Sequence, residues 1–451
     1  MPETASTTRA PDALLPSLTP LLHSWLPRQR WFAGKGRRVT GFTLAAATEL
    51  LPLDGPGPGL LHLLVRVEQP GRPAGTPADC YQLLLGVRPQ LPPRLAPALI
   101  GRLRQGPLAG RAVYEGLRDP RLAGLLYERL RTPGRSGPLR FHTTTALPPA
   151  LAPRMLDAEQ SNSSLVYGDS FILKIFRRVS PGANPDLELP LALARAGCAR
   201  VPEPVAWFES GEATLGVLQP FLRDSRDGWR LALDALAAGR EFTTEARALG
   251  RATAEVHLAL AGALPTERLR PDRAAQLAAA MDARLHAAAQ AVPALLPHVP
   301  GLRAVFASAG DTAAAGRLQR IHGDLHLGQT LRGSDGAWAV IDFEGEPAKS
   351  LDERRSPQPP VRDIAGMLRS FDYAARTHRP WNPDWAARCR AAYCDGYAEA
   401  AGTDPRDRPA LLRAYETDKA VYEVVYEARH RPDWLPVPMS AIERLAGGAG
   451  A

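Results

Sequence analysis

The chain has 451 residues and a formal net charge of +8, and this length allows a large buried core divided among two or three domains. Its arginines are scattered, with no long basic run that contains interleaved aromatic residues, which argues against a nucleic-acid-binding protein. It contains no apolar run of eighteen or more residues, and its first residues lack the regions of a signal peptide, so we expect a cytoplasmic protein without a membrane partner.

Residues 1–90 are predicted to form a small β-rich cap. Short apolar runs such as LLHLLVRV and YQLLLGV alternate there with turns rich in proline and glycine. The same region contains RQRWFAGKGRR, residues 28–38. We favour a packed corner around Trp31 and Phe32 with solvated basic side chains, and the alternative is a surface that faces a phosphate or a partner.

Residues 91–221 are predicted to hold an intermediate segment and then a small β-rich lobe. The stretch AVYEGLRDPRLAGLLYERL, residues 112–130, suggests a helical hairpin. Further on, LVYGDSFILKIF, residues 165–176, predicts a β-hairpin that turns at Gly168 and Asp169.

Lysine is rare in this chain. Of 55 basic residues only four are lysine: Lys35, Lys174, Lys349 and Lys419. Lys174 shares a strand face with Ile172 and Phe176, an unusual place for an unpaired ammonium. Either it is an edge-strand lysine whose ammonium reaches solvent, or it anchors phosphate oxygens as a compact point charge.

A helix is predicted next, over NPDLELPLALARAG, residues 184–197. Asn184 suits the N-cap and Pro185 the first helical position. We expect Glu188 to pair with Lys174, with Asp186 as the alternative partner. Residues 222–451 are predicted to be mainly helical, and in RDIAGMLRSFDYAARTH the carboxylate of Asp363 is expected to cap a helix.

The stretch IHGDLHLGQT, residues 321–330, sets His322 and His326 around Asp324. A zinc site would need further converging ligands. Instead, the apolar run AVI leads into Asp342, so a carboxylate follows a buried strand. A loop aspartate, an amide at Gln329 and a second aspartate after a strand are the layout of a phosphotransferase, in which the first orients the attacking hydroxyl and the others hold magnesium.

Together these motifs resemble the actinobacterial maltokinases, which are aminoglycoside-phosphotransferase-like relatives of the eukaryotic protein kinases. The likeness runs from WLPRQRWFAGKGRR to YEVVYEARHRPDWLPVP, residues 25–438. It implies an α+β, bilobal kinase-like fold with an extra β-rich cap, a kinase-like N-lobe within residues 91–221 and a helical C-lobe that carries the catalytic loop and the sugar site. It also implies ATP-dependent phosphorylation of maltose at its reducing-end hydroxyl, which gives maltose 1-phosphate for α-1,4-glucan (glycogen) synthesis.

The resemblance assigns roles position by position. Asp324 matches the catalytic aspartate, Gln329 the magnesium-binding amide, Asp342 the aspartate that bridges Mg²⁺ to phosphate, and Lys174 the phosphate lysine. Gln329 departs from the asparagine of most relatives. The phosphate-covering loop is not glycine-rich either, and we expect it to offer the hydroxyls of Ser161, Ser163 and Ser164. The run TLGVLQPFL suits an adenine-binding hinge at Gln219 and Phe221.

The sugar contacts are predicted on the catalytic loop and on the C-terminal helix: His326, Tyr426, Arg429 and Trp434. We expect His322 to be structural, bonded to backbone beneath the loop. Glu423 and Glu427 leave an ammonium site open, so a kinase of another small sugar such as glucosamine is the first alternative. A catalytically degenerate kinase-fold binding protein is the second. The cap is a candidate for association with a trehalose- or maltose-converting enzyme.

Overall fold

The structure is a computed structural model that describes residues 14–71, 78–156, 161–312, 316–347 and 349–447. Its strands are β1 (Gly41–Leu51), β2 (Gly59–Glu68), β3 (Asp79–Arg88), β4 (Leu99–Arg102), β5 (Ala112–Glu115), β6 (Gly134–Ser136), β7 (Leu139–Thr143), β8 (Pro153–Leu156), β9 (Ser163–Tyr167), β10 (Phe171–Ile175), β11 (Arg178–Val179), β12 (Ala206–Ser210), β13 (Ala213–Pro220), β14 (Arg226–Asp227), β15 (Glu267–Leu269), β16 (Gly316–Leu318), β17 (Thr330–Arg332) and β18 (Trp338–Val340).

The helices carry most of the C-terminal half. They are α1 (Leu14–Trp25), α2 (Pro120–Arg131), α3 (Pro185–Arg195), α4 (Gly228–Ala237), α5 (Thr243–Ala263), α6 (Pro271–Ala291), α7 (Val299–Thr312), α8 (Leu351–Arg355), α9 (Val361–Thr377), α10 (Pro383–Ala401), α11 (Pro409–His430) and α12 (Pro436–Gly447). None of the helices within the described ranges is long and apolar enough to cross a bilayer.

The chain divides into two compact units, one made of residues up to Leu187 together with Pro204–Arg223, and the other of Glu188–Glu203 together with the chain from Asp224 onward. The first unit contains two antiparallel sheets. One has the order β1-β2-β3-β5-β4, with β11 also paired to β3, and the other has the order β6-β7-β12-β13-β10-β9-β8. The first sheet therefore continues past residue 90 into β4 and β5.

The predicted helical hairpin over residues 112–130 is wrong in its first half. Ala112–Glu115 is strand β5, buried between β3 and β4, and only Pro120–Arg131 is helical. Val113 and Tyr114 favour a pleated, buried surface, and both are fully buried here. The helix begins where Asp119 accepts a hydrogen bond from the backbone N–H of Arg121.

The RQRWFAGKGRR segment forms the packed corner that we favoured. Phe32 is buried against Tyr81, with ring centroids 5.2 Å apart, and Trp31 lies beside the same ring. Lys35 and the arginines that follow it are exposed. On its other side Trp31 meets Arg177, whose guanidinium carbon lies 4.9 Å from the ring centroid.

The cap sheet holds the chain that leaves β10. Gln82 of β3 donates from its side-chain amide to the carbonyl oxygens of Phe176 and Leu215, at 2.9 and 2.8 Å. Its amide oxygen lies 2.9 Å from the ring of His62, and burial lowers the pKa of His62 to about 4 despite this hydrogen bond. A neutral histidine and an amide therefore connect the two sheets without a buried charge.

The second unit is built around helices α5, α9, α10 and α11. α5 and α10 approach closely because Gly250 and Gly396 face the partner helix: a side chain at Gly250 would meet the carbonyl oxygen of Tyr393 at 2.1 Å. The small sheet β14-β17-β18 lies in this unit and carries the loops that hold Asp324 and Asp342.

Candidate active site

Lys174 lies in the middle of β10, paired with Ser164 of β9 and Val217 of β13. Its ammonium donates to a carboxylate oxygen of Asp186 over 2.9 Å, with the two side chains 17% and 4% exposed. The expected partner, Glu188, was therefore the wrong choice and the alternative was right. Glu188 instead accepts from Arg320 at 2.8 Å and from Arg355 at 3.4 Å.

The position at which helix α3 begins explains why Asp186, and not Glu188, pairs with Lys174. Asn184 accepts a hydrogen bond from the N–H of Asp186, as the sequence predicted for an N-cap, so the helix begins at Pro185. Residues that are two positions apart in an α-helix point roughly 200° apart, so Asp186 and Glu188 lie on opposite sides of α3. Only Asp186 is directed at Lys174.

The predicted phosphate-covering segment lies between β8 and β9, and Gln160 is outside the described residues. Ser161 is exposed on this connection. Ser163 and Ser164 belong to strand β9 and are buried, and the Ser163 hydroxyl already accepts from Arg177 at 2.8 Å. The prediction that Ser163 and Ser164 offer hydroxyls from a loop is therefore wrong, because both residues lie in a strand. Of the three serines, Ser161 is the one on the loop.

The predicted hinge follows β13. Gln219 pairs with Ile172, and the N–H of Phe221 donates to the carbonyl of Ser170 at 2.8 Å. Both residues are half-buried at the end of the sheet that carries Lys174. Their contact with adenine stays a prediction.

Asp363 anchors the loop that carries the candidate base. Its carboxylate accepts from the backbone N–H groups of His322 and Gly323, both at 2.8 Å, and from His257 at 3.0 Å. The expectation that Asp363 caps a helix is wrong, because this fully buried carboxylate accepts its hydrogen bonds from the loop and from His257. Burial would raise the pKa of Asp363, but His257 and the loop amide hold it below its usual range.

The prediction that His322 is structural is confirmed. Its ring lies 4.8 Å from the ring of Phe343, and its Nε2 donates to the carbonyl of Ile341 over 2.9 Å. The other nitrogen accepts from the N–H of Asp324 at 3.3 Å. These hydrogen bonds use both ring nitrogens, so the pattern does not suit a zinc ligand.

Asp324 is paired with Lys419 of helix α11. The ammonium donates to Oδ1 of Asp324 over 2.8 Å, and the side chains are 20% and 25% exposed. Burial by itself would raise the pKa of Asp324, but the ammonium of Lys419 holds it well below its usual range. Burial would lower the pKa of Lys419, yet Asp324 and Glu346 keep it above the ordinary value. Asp324 is therefore ionised at neutral pH.

Gln329 and Asp342, the two residues predicted to share a cation, lie in direct contact. The amide nitrogen of Gln329 donates to Oδ2 of Asp342 over 2.9 Å, and the backbone N–H of Ile341 donates to the carbonyl of Gln329. Asp342 has a φ of +66°, a conformation that costs free energy for a residue with a side chain. This turn directs its carboxylate back toward Gln329 at the end of β18.

A cavity of about 250 Å³ opens beside Asp324 within the second unit. Its charged wall residues are Asp324, Glu346, Asp363, Asp418, Arg284, Lys349, Arg362, Lys419 and Arg429. Tyr415 and Tyr422 supply aromatic surface. The Tyr415 hydroxyl is buried and finds no hydrogen-bond partner among the described residues, which leaves it available to a ligand.

Every carboxylate in this wall already has a partner. Asp324 pairs with Lys419 and Asp363 with His257. Glu346 lies 2.9 Å from Arg362 and 3.4 Å from Lys349, and Asp418 receives two 2.8 Å bonds from Arg284. Five cations thus face four engaged carboxylates.

Of the four residues predicted to contact the sugar, the structure places one at the cavity beside Asp324. Arg429 lines the cavity, whereas His326, Tyr426 and Trp434 are not among the described residues of its wall. Tyr426 is exposed and stacks on Tyr422 with centroids 6.3 Å apart, so the aromatic residue at the cavity is Tyr422. Trp434 lies beyond α11 against Arg431.

His326 has a local task. Its Nδ1 accepts from the N–H of Gly328 at 3.1 Å and caps the short turn Leu327–Gln329 that places the amide of Gln329. Burial lowers its pKa, against the attraction of Asp324. It therefore positions the turn that carries Gln329, and its contact with the sugar stays a prediction.

Sequence reasoning did not assign Lys419 or Tyr422 to the site, and it gave Asp363 a different role. One signal could have found the first of them: in a chain with four lysines, Lys174 lies in the small lobe and both Lys349 and Lys419 line the cavity. Spacing also indicated Tyr422, which lies one helical turn before Tyr426. Nothing local indicated that Asp363 would hold a loop forty residues before it.

Two family models match the chain. The model described as "Maltokinase N-terminal cap domain" matches residues 25–119. The model described as "Phosphotransferase enzyme family", APH, matches residues 153–411, which is more than half of the chain. The two matches together cover the cap, the small lobe and most of the helical unit.

Two curated relatives are named glucosamine kinases. That of Streptacidiphilus jiangxiensis is 32% identical over 352 residues, covering 70% of this chain and 78% of that protein. That of Mycolicibacterium smegmatis (strain ATCC 700084 / mc(2)155) is 29% identical over 323 residues, covering 65% of this chain and 79% of that protein.

A solved structure described as glucosamine kinase in complex with glucosamine, ADP and inorganic phosphate has the same fold. It superposes with a TM-score of 0.66 at 24% identity and covers 94% of this chain and 98% of that chain. A second crystal form of glucosamine kinase gives a TM-score of 0.69 at 24% identity, with the same coverage. The predicted kinase-like α+β fold is therefore confirmed, and the chain belongs to the phosphotransferase enzyme family as a sugar kinase with a maltokinase-type N-terminal cap.

Proposed function

We propose that this protein transfers the γ-phosphoryl group of ATP to the reducing-end (C1) hydroxyl of maltose and releases maltose 1-phosphate, a precursor for α-1,4-glucan (glycogen) synthesis. The observation that carries the choice of acceptor is the wall of the cavity beside Asp324. There Lys419 and Tyr422 stand next to the candidate base, and each carboxylate is engaged by a cation or a histidine.

The proposed role of Asp324 is to orient the attacking hydroxyl. Phosphoryl transfer passes through a loose transition state in most analyses, so it needs positioning more than a strong base. A carboxylate whose pKa is held low by Lys419 accepts a hydrogen bond well but removes a proton poorly in the ground state. Lys419 is suited to hold the second acceptor oxygen and to stabilise negative charge near the reacting atoms.

Asp342 and Gln329 are proposed to hold magnesium. The donor set fits a hard cation, because a carboxylate and an amide carbonyl both offer oxygen, and the two side chains are in contact over 2.9 Å. When bound, magnesium would neutralise charge on the β- and γ-phosphates. Lys174, positioned by Asp186, is proposed to hold phosphate oxygens, with Ser161 on the covering loop and Gln219 and Phe221 at the adenine hinge.

A neutral disaccharide suits this cavity better than an amino sugar. The ammonium of glucosamine would need a free carboxylate, since an ammonium is recognised by charge-assisted hydrogen bonds. Glu423 and Glu427, which had left that option open, are bonded to Arg369 and Arg431 respectively. The relatives named glucosamine kinase make glucosamine the alternative acceptor, and the engaged carboxylates weigh against it here.

Three further expectations from the sequence bear on this proposal. A degenerate, non-catalytic kinase fold is disfavoured because the phosphate lysine, the candidate base and the metal aspartate are all present. A cytoplasmic location and an association of the cap with a trehalose- or maltose-converting enzyme are both carried over from the sequence.

The position of phosphorylation tests the proposal directly. Purified protein is incubated with magnesium, ATP and maltose, and the product is examined by ³¹P-coupled NMR and by a reducing-sugar assay. We expect the phosphate to couple to the anomeric proton and the product to lose its reducing end. A phosphorylated product that still reduces would contradict C1 transfer, and ATP consumption without any sugar ester would contradict the kinase itself.

A further inference from the structure

A second cavity of about 350 Å³ lies in the helical unit, among α9, α10 and α12. It shares no lining residue with the cavity beside Asp324. Its charged and aromatic lining consists of Arg369, Arg376, Arg390, Arg444, Asp372, Asp384 and Trp381. Four arginines therefore face two carboxylates.

A single oxygen atom holds three of these arginines together. Oδ2 of Asp372 receives Arg369 at 3.1 Å, Arg390 at 3.3 Å and Arg444 at 3.1 Å. Arg369 and Arg390 also have carboxylates behind the wall, Glu423 and Glu416, at 2.6 Å each. Arg444 has Asp372 alone among the described residues and is half exposed, so most of its donors point to open space.

Arg376 completes the arrangement. Its guanidinium has no ion pair or hydrogen bond among the residues that the structure describes, and it lies 3.5 Å from the centroid of the Trp381 ring. Trp381 is 48% exposed, one of few large apolar side chains with so much open surface. A guanidinium stacked on an aromatic ring keeps its planar fork of N–H donors, which matches the geometry of a phosphate.

We propose that this cavity is a binding site for a phosphorylated sugar, separate from the site of phosphoryl transfer. Arg376 and Arg444 supply donors to the phosphate oxygens, and the open part of the Trp381 ring packs against the pyranose. Asp384 at the rim is placed to accept from sugar hydroxyls. The phosphate would add a second anion beside Asp372 for Arg444, and a first ion-pair partner for Arg376 among the described residues.

Titration calorimetry with glucose 1-phosphate tests this site. The wild-type protein is compared with an Arg376→Ala/Arg444→Ala double variant and with Arg303→Ala, in which an exposed arginine of α7 that pairs with Asp282 is lost. Binding of the phosphosugar at the cavity beside Asp324 is common to all three proteins and drops out of the comparison. Circular dichroism and thermal unfolding of each protein establish that it is folded.

We expect the double variant to bind glucose 1-phosphate at least about tenfold more weakly or to lose one binding event, and Arg303→Ala to match the wild type. Trp381→Ala, a milder change, should weaken the binding of glucose 1-phosphate but leave the binding of inorganic phosphate unchanged. Unchanged glucose 1-phosphate binding in a folded double variant, or no wild-type binding up to about 10 mM, overturns the site. If AMP bound more tightly than glucose 1-phosphate and its binding depended on Trp381, the proposal of a sugar as the ligand would be overturned.

Discussion

The Lys419 ammonium donates to Oδ1 of Asp324 across 2.8 Å, although the two residues are 95 positions apart in the chain. This pair joins helix α11, which bears the aromatic wall of the cavity, to the loop that bears the candidate base. It keeps Asp324 ionised in spite of burial. The cation that fixes the charge of Asp324 therefore also lines the cavity proposed for the acceptor.

Replacement of Lys419 by methionine should shift the pH profile of the reaction. Without the ammonium, burial raises the pKa of Asp324, and the activity that needs its ionised form is lost as pH falls through this higher value. Because burial alone raises this pKa above the ordinary carboxyl range, we expect the variant to show an acid limb of kcat/KM above about pH 4 that the wild type does not show there. The measurement is kcat/KM for the acceptor between pH 4 and pH 9.

Lys35→Met is the matched control for this change. It removes the same charge from an exposed position in the cap and should leave the profile where it is. If Lys419→Met showed the same flat acid side of the profile as the wild type above about pH 4, Lys419 would not be what sets the pKa of Asp324.

Asp324→Asn should lower kcat by about two to four orders of magnitude, because an amide cannot orient and accept from the attacking hydroxyl in the same way. The affinity for the magnesium–nucleotide complex should stay close to that of the wild type. Steady-state kinetics and nucleotide titration give both quantities. A variant that kept more than about a tenth of the rate would remove Asp324 from the catalytic role.

Asp186 and Glu188 form a matched pair of acids on one helix. Asp186→Asn should raise KM for ATP about tenfold or more, because it frees the ammonium of Lys174 from its 2.9 Å partner. Glu188→Gln should leave KM for ATP near the wild-type value and lower thermal stability, because Arg320 is then left buried beside a neutral group. The opposite result would restore the pairing first expected from the sequence.

Lys174→Arg retains the charge but changes its shape, and we expect most of the activity to be lost. The reason is that a planar guanidinium cannot replace a point charge that is enclosed by Asp186 and the neighbouring strands. A fully active arginine variant would reduce Lys174 to an ordinary strand residue.

The contact between cap and small lobe should contribute strongly to stability. Arg177 is 1% exposed and pairs with the buried Glu115 of the cap sheet at 3.1 Å. Arg177→Met leaves that carboxylate buried without its cation, which costs about 3 to 5 kcal/mol of unfolding free energy. Arg131→Met, which removes a half-exposed pair with Glu128, should cost below about 1 kcal/mol. Equal losses in urea unfolding would mean that the cap does not depend on Arg177.

Local patterns predicted much of the site. The spacing of Asp324, Gln329 and Asp342 indicated phosphoryl transfer because those residues lie in two short, adjacent segments. The hairpin around Gly168 and Asp169 formed as predicted, since both residues take the positive φ that such a turn needs.

The rotation of a helix about its axis and the contacts between distant segments could not be predicted from the sequence. The sequence located the helix after Asn184 but not its rotation about its own axis, and this rotation decides whether Asp186 or Glu188 faces Lys174. Lys419 and Asp363 reach the catalytic loop only through the packing of α9 and α11, which no local spacing reports.

The relative specificity for maltose and glucosamine tests the central claim most directly. The measurement is kcat/KM for each sugar with saturating magnesium–ATP, on one preparation of the full chain. Because the carboxylates beside Asp324 are engaged and Lys419 faces the acceptor, we predict a kcat/KM for maltose at least about a hundredfold above that for glucosamine. A preference for glucosamine would contradict the maltose assignment and would require one of these carboxylates to exchange its cation for the ammonium of the sugar.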